Sequence, residues 1–293
     1  MDKVVTKAYA KINLGLDVLR KRPDGYHDVK MIMQTVDLYD VLSVSKKEEN
    51  TITISTQKEE LPVNEDNLIY KAIKLMKDTY GFEGGVHVDL VKNIPIAAGM
   101  AGGSTDAAGA MRAVNELFEF NRPLKELEQI AVKIGADVPY CVQGGTVLSE
   151  GIGELLTNLP DAPQCILLIA KPDISVSTKY VYENLNLPSI EKHPDIDAMV
   201  KTIKEGDMQG MIEQMDNVLA SVTEQKYEII GKIKKTMIKQ GALKALMSGS
   251  GPTVFGIFDT MVQAASAYDA IKENAMAKEI FISKFINPKE ENL

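Results

Sequence analysis

Apolar and polar residues alternate strictly over residues 10–18, with Ile12, Leu14, Leu16 and Val18 on one face and Lys11, Asn13, Gly15 and Asp17 on the other. A period of two is that of a half-buried strand. The turn-forming run Arg22, Pro23, Asp24 and Gly25 follows, and residues 29–36, 41–45 and 51–56 read as further strands of an antiparallel layer. The period then becomes helical. Leu68, Ile69, Ala72, Ile73, Met76 and Tyr80 recur over 68–80 until Gly81 stops them, and 86–90 alternates again as a strand. A helix rich in small residues is expected over 104–118 and a second over 123–134, closed by Gly135.

The turn-rich connector LPDAPQ begins after Asn158 and divides the chain into candidate domains at 1–158 and 159–293. In the second, strands are expected at 165–170, 243–247, 253–258 and 279–285, and helices at 177–185, 223–240 and 261–275, with further helix between Asp195 and Leu219. That order is close to the β-α-β-β-α-β succession of a ferredoxin-like unit. The fold class is therefore α/β, of the α+β type. Neither an internal repeat nor a low-complexity stretch interrupts it.

Composition narrows the function. The 293 residues carry 33 Lys+Arg against 41 Asp+Glu, a net charge of −8, whereas a nucleic-acid binder normally presents a basic face. A hydrophobic share of 45% with 25% charged residues is enough to bury a real core. No apolar run approaches the roughly 20 residues that span a bilayer, and the polar-interrupted start MDKVVTKAYAKINLGL lacks a signal-peptide core, so a cytoplasmic, membrane-free protein is expected. Cys141 and Cys165 form no CxxC pair, and His27, His87 and His193 lie far apart, which leaves a structural zinc site without support.

Residues 95–109 hold four glycines (99, 102, 103 and 109) at the junction of a strand and a helix. Free N–H groups and the positive helix end converge there, so a phosphate is the natural guest, though a plain flexible loop is the alternative. Ser104 or Thr105 could cap the helix or offer a hydroxyl to phosphate or Mg²⁺. The loop satisfies neither GxxxxGK[ST] nor GxGxxG. Lys11 and Asn13 project to the same side of their strand and could meet one ligand, or simply form a solvated face. Asp137, between Gly135 and Pro139, could hold a carboxylate where a hydroxyl loses its proton, or cap the next helix. Gly249-Ser250-Gly251 could approach a phosphate or serve as a hairpin turn.

Taken in order, AKINLGLDVLRKRPDGYHDV from residue 10, IPIAAGMAGGSTDAA from 94, GADVPYCVQGG from 135 and LMSGSGPTVFGIF from 246 resemble the motifs of the GHMP kinase superfamily. The PDGYH run is particular to the branch that phosphorylates the 2-hydroxyl of 4-diphosphocytidyl-2-C-methyl-D-erythritol in the non-mevalonate isoprenoid pathway. The resemblance covers nearly the whole chain. It implies a two-domain kinase, with a first domain of a type also found in ribosomal proteins and a cleft between the domains, acting with ATP and Mg²⁺ on a small molecule, as a monomer or homodimer. It implies catalytic roles for Asp137, as base or orienting carboxylate, and Lys11, as the cation steadying it. Asn13, His27 and Thr178 fall on substrate positions, and Tyr26 and Tyr182 on the aromatic positions flanking cytosine. For the nucleotide it implies Asn67, Lys92, Pro95, Gly99, Ala101, Gly102, Gly103, Ser104 and Thr105.

The chain departs from the commoner loop GLGGGSSNAA at Met100, Ala101, Thr105 and Asp106. Asp106 suits the first helical turn but would repel phosphate if turned toward it. The Mg²⁺ ligand stays unassigned between Ser104 and Thr105. The competing readings are another small-molecule kinase of the superfamily, acting on homoserine or mevalonate, and a non-catalytic ligand-binding module on the same fold.

Overall fold

The computed structural model describes residues 2–288. Its first sheet is built on two long strands, β1 (Lys3–Lys21) and β2 (His27–Lys47), joined by the turn at residues 22–25 and paired antiparallel along almost their whole length. β2 thus runs unbroken through Asp37 and Asp40, where two separate strands were expected, because Tyr9 and Ala8 of β1 pair across that stretch. β3 (Ile52–Thr56), α1 (Leu68–Tyr80), β4 (Gly85–Val91), α2 (Gly102–Leu117), α3 (Leu124–Ala131) and α4 (Val138–Gln143) follow. β5 (Thr146–Gly151) and β6 (Leu155–Asn158), which the sequence pattern did not announce, complete the sheet in the order β3-β4-β2-β5-β6, with β1 also on β2.

The second half runs β7 (Ile166–Lys171), α5 (Thr178–Glu183), α6 (Ile196–Glu205), α7 (Met208–Gln214), α8 (Ala220–Lys226), α9 (Glu228–Lys239), β8 (Lys244–Met247), β9 (Val254–Phe258), α10 (Met261–Glu273) and β10 (Glu279–Lys284). Its antiparallel sheet has the order β10-β7-β9-β8, the ferredoxin-like arrangement. The helix expected over 223–240 is broken at Tyr227, whose extended backbone (φ −129°, ψ 86°) separates α8 from α9.

The sheets face each other. Ile12 and Leu14 of β1, Ile32 of β2, Leu167 and Ile169 of β7 and Phe255 and Ile257 of β9 share one apolar cluster, closed by Ile196, Met199 and Met211 of α6 and α7. The alternate residues of β7, Leu168 and Ala170, join Ile230 and Ile233 of α9 and Ala264 and Ala267 of α10 in the other cluster, which also takes in Ile69, Ala72 and Ile73 of α1. Burial on both faces explains why residues 10–18 are buried throughout rather than on one side alone. Among the described residues, no helix is long and apolar enough to cross a membrane.

Candidate active site

Bulges between Tyr9 and Lys11 and between Asn13 and Gly15 break the regular register of β1. Such irregularities re-aim side chains. Lys11 and Asn13 line a cavity of about 970 Å³ and are 5% and 1% exposed, so they do not form a solvated face. The buried ammonium is not left alone, as burial requires: Lys11 Nζ donates to Asn13 Oδ1 at 2.9 Å and lies 3.6 Å from Asp137 Oδ2. Asp137 occupies the N-cap position of α4, but its side chain makes no capping bond. Its carboxylate is therefore available to Lys11 and to whatever fills the cavity.

The glycine loop opens onto the same cavity. Ala97, Gly99 and Ala101 have φ of 52°, 73° and 57°. Left-handed residues set into a turn direct backbone N–H groups into one concavity suited to an anion. For a residue with a Cβ this conformation costs about 1–2 kcal/mol, so Ala97 and Ala101 are held in it by their surroundings. Ala101, not Ser104 or Thr105, is the N-cap of α2, and it has no side chain to cap with.

The three glycines of the loop do different work. A Cβ on Gly99 would stand 2.4 Å from the Ser248 carbonyl oxygen, so this glycine lets the loop dock on the 248–251 turn, which also sends the Ser248 hydroxyl to the Gly99 carbonyl at 3.1 Å. A Cβ on Gly102 would stand 2.9 Å from Lys92 Nζ. On Gly103 it would meet only Leu68 Cδ1, at 3.5 Å, and Gly103 faces the open cavity.

Tyr26, His27, Thr178 and Tyr182 also contribute to the cavity wall. Thr178 and Tyr182 are one turn apart on α5, and Thr178 Oγ1 bonds Ser250 Oγ at 2.8 Å. The His27 and Tyr182 rings lie 5.1 Å apart, tilted by 33°, while Tyr26 stands exposed at the rim. Burial, helped by Lys21, pushes His27 below the usual histidine range, which favours the neutral imidazole. Burial and the nearby Asp137 charge push the Tyr182 phenol up, leaving it a hydrogen-bond donor.

Other residues singled out in the sequence do not reach the cavity. Asn67 caps α1, accepting from the Ile69 N–H at 2.8 Å and donating to the Pro62 carbonyl at 2.7 Å. Pro95 is buried beside the loop. Thr105 commits its hydroxyl to the Tyr9 carbonyl at 2.7 Å. Lys92 is buried between Asp40 and Asp106, 2.8 Å from Asp106 Oδ2, which turns Asp106 away from the space above the loop. Ser104 is the hydroxyl of this turn that lines the cavity. Lys21 and Lys179 also line it and were not anticipated, because single lysines on polar surface segments carry no periodic signal.

Family models of the GHMP kinases match this chain at residues 67–145 (N-terminal domain) and 199–277 (C-terminal). The 4-diphosphocytidyl-2-C-methyl-D-erythritol kinase of Lachnoclostridium phytofermentans is 52% identical over 289 residues, covering 99% of this chain and 99% of its own. That of Lachnospira eligens is 52% identical over 288 residues, covering 98% of this chain and all of its own. A crystal structure of 4-(cytidine 5'-diphospho)-2C-methyl-D-erythritol kinase superposes with a TM-score of 0.82 at 28% identity, covering 96% of this chain and 99% of that one. With identity of this order sustained from end to end, the chain belongs to the 4-diphosphocytidyl-2-C-methyl-D-erythritol kinase family of the GHMP kinases.

Proposed function

We propose that the protein transfers the γ-phosphoryl group of ATP to the 2-hydroxyl of 4-diphosphocytidyl-2-C-methyl-D-erythritol, with Asp137 and Lys11 at the reacting end. One observation carries the reading: the Lys11–Asp137 pair lies on the wall of a single cavity that is also lined by the glycine loop and by the Tyr26, His27 and Tyr182 rings. The loop would receive the ATP phosphates, the rings the cytosine, and the sugar alcohol would lie between. Phosphoryl transfer proceeds through a loose transition state, so positioning and electrostatics supply most of the rate. Asp137 orients the hydroxyl and accepts its proton as the new P–O bond forms. Lys11, fixed by Asn13, faces the same point and stabilises the charge that develops on the phosphoryl oxygens.

Mg²⁺ fits this site as a companion of the nucleotide rather than as a resident ion. Among the described residues, no group of three or more His, Cys, Asp or Glu is placed to hold a metal, and the Thr105 hydroxyl is spent on Tyr9. Ser104 is therefore the side chain that would join the phosphates in holding Mg²⁺, which when bound neutralises phosphate charge.

A coupled ADP-release assay with the cytidylyl substrate, mevalonate and homoserine tests the reading. Turnover with the first alone is expected, and turnover with either of the others at comparable kcat/KM would overturn it. Two variants separate the subsites. Gly103→Val, at a position with room for a side chain, should raise the KM for ATP more than that for the cytidylyl substrate, by holding the backbone off the phosphates. An unchanged ATP dependence would place the phosphates elsewhere. Tyr26→Ala should weaken the cytidylyl substrate by about 1–3 kcal/mol, the usual worth of stacking one base, and spare ATP. Equal loss for both ligands would count against a cytosine held between Tyr26 and Tyr182.

A further inference from the structure

Arg112 is the sole cation of α2 and sits in its third turn, well away from the cavity wall. It has no carboxylate partner among the described residues. Nη1 donates to the Cys141 carbonyl at 2.9 Å and to the Val142 carbonyl at 3.3 Å, and Nη2 donates to the Lys7 carbonyl at 3.0 Å. Nε is buried and finds no hydrogen-bond partner. A rigid, planar fork is thus spent on three backbone carbonyls, which come from two elements. Desolvation brings the guanidinium down to about 10, so it stays charged at neutral pH.

Those two elements carry the reacting pair. Cys141 lies one turn after Asp137 and its N–H donates to the Asp137 carbonyl at 3.1 Å, while Lys7 lies four residues before Lys11 on β1. α4 has only six residues and cannot hold its place through its own hydrogen bonds. Its side chains are buried, and among its polar anchors is Tyr140, whose hydroxyl bonds Thr35 Oγ1 at 2.8 Å and the Gly145 carbonyl at 2.9 Å, which ties α4 to β2. Arg112 supplies a tie to β1. We propose that Arg112 is a positioning residue for phosphoryl transfer, clamping α4 against β1 so that the Asp137 carboxylate is held opposite Lys11.

The inference rests on the roles given to Asp137 and Lys11 above, and it predicts a particular kinetic pattern. Arg112→Met, which keeps the length of the side chain and removes the donors, should lower kcat by about 10–100-fold, as displacements of the order of 1 Å do. KM for ATP and for the cytidylyl substrate should change by less than about threefold, because Arg112 bonds neither the loop nor the rings. Arg112→Lys, which can still reach one carbonyl, should recover part of the loss. The decisive comparison uses Asp137→Asn protein, in which adding Arg112→Met should cost less than about threefold more, since a carboxylate already removed cannot be misplaced. Damage to the fold in general would instead multiply.

Parental kcat in Arg112→Met, or the same fold-loss in both backgrounds, overturns the positioning role. Should Arg112→Met not fold, Arg112→Lys carries the same comparison and the same criteria. If Asp137→Asn itself keeps the parental kcat, the reading of Asp137 fails and the clamp with it. If Asp137→Asn loses activity but the Arg112 loss is undiminished, the clamp alone fails.

Discussion

Asp137→Asn is expected to lower kcat by about 10²–10⁴-fold, the range for losing a positioned proton acceptor, with little change in the KM for ATP. The substitution is nearly isosteric, and no capping bond of Asp137 is lost with it, so the fold of α4 should be unaffected. What disappears is the charge that lies 3.6 Å from the Lys11 ammonium and the site that receives the hydroxyl proton. Lys11→Ala should do comparable damage, for it removes the cation from the point where phosphoryl charge develops and leaves Asn13 Oδ1 without its donor. On the proposed roles the two groups act on one transferring phosphoryl, so their losses should not be independent. The double variant should fall well short of the product of the single losses. Steady-state rates at saturating ATP and cytidylyl substrate measure all three. A folded Asp137→Asn protein with near-parental kcat would take Asp137 out of the mechanism and leave Lys11 and the glycine loop as its main source of rate.

The parts of this site that could be read in the sequence are those where the requirement is local. Glycines crowded between a strand and a helix point to a phosphate cradle because only local backbone freedom is at stake. The alternation over residues 10–18 predicts a strand, and Lys11 and Asn13 fall on one of its faces. Whether that face meets water or a cavity depends on partners far along the chain. Its partners include Asp137, 3.6 Å from Lys11, and Gly249, where a Cβ would stand 3.5 Å from Asn13 Oδ1. Distance in sequence also hid what Gly99 is for. A Cβ there would meet the Ser248 carbonyl, a demand that no neighbouring residue in the sequence announces. β5 and β6 escaped notice for a different reason. They are short, and Gly144, Gly145, Gly151 and Gly153 around them read as turns. Lys92 and Thr105 have partners that the motif does not announce. Both are near the loop in sequence, yet one is shared between two buried carboxylates and the other is bonded to β1.

Lys92→Met is expected to destabilise the protein by about 3–5 kcal/mol near neutral pH, the usual cost of removing one partner from a buried ion pair. Asp40, Lys92 and Asp106 are 0%, 4% and 3% exposed, so solvent cannot replace the missing ammonium. Asp40 retains help from the Asn93 and Ile94 N–H groups, which donate to its Oδ1. Asp106 has no such reserve, since its Oδ1 is buried without a hydrogen-bond partner. Burial already pushes the Asp106 carboxyl well up, with Asp40 adding to the effect and Lys92 opposing it. For Lys92, burial alone would lower the ammonium, but Asp106 and Asp40 outweigh it and raise it. With Lys92 gone, nothing opposes protonation of Asp106. A carboxyl that binds its proton more tightly folded than unfolded contributes its full stability below the ordinary carboxylate pKa of about 4, and loses it as pH rises through the raised folded value. The variant's deficit should accordingly be largest at about pH 8 and shrink toward about pH 5. Adding Asp106→Asn to Lys92→Met should recover part of the loss at the higher pH, because one of two facing carboxylates becomes a neutral amide of the same shape. Urea unfolding of the parent and both variants across this range measures the effect. A Lys92→Met protein as stable as its parent at about pH 8, or one whose deficit grew on acidification, would mean that the charge of Lys92 is not what holds Asp106 and the first turn of α2 beneath the loop.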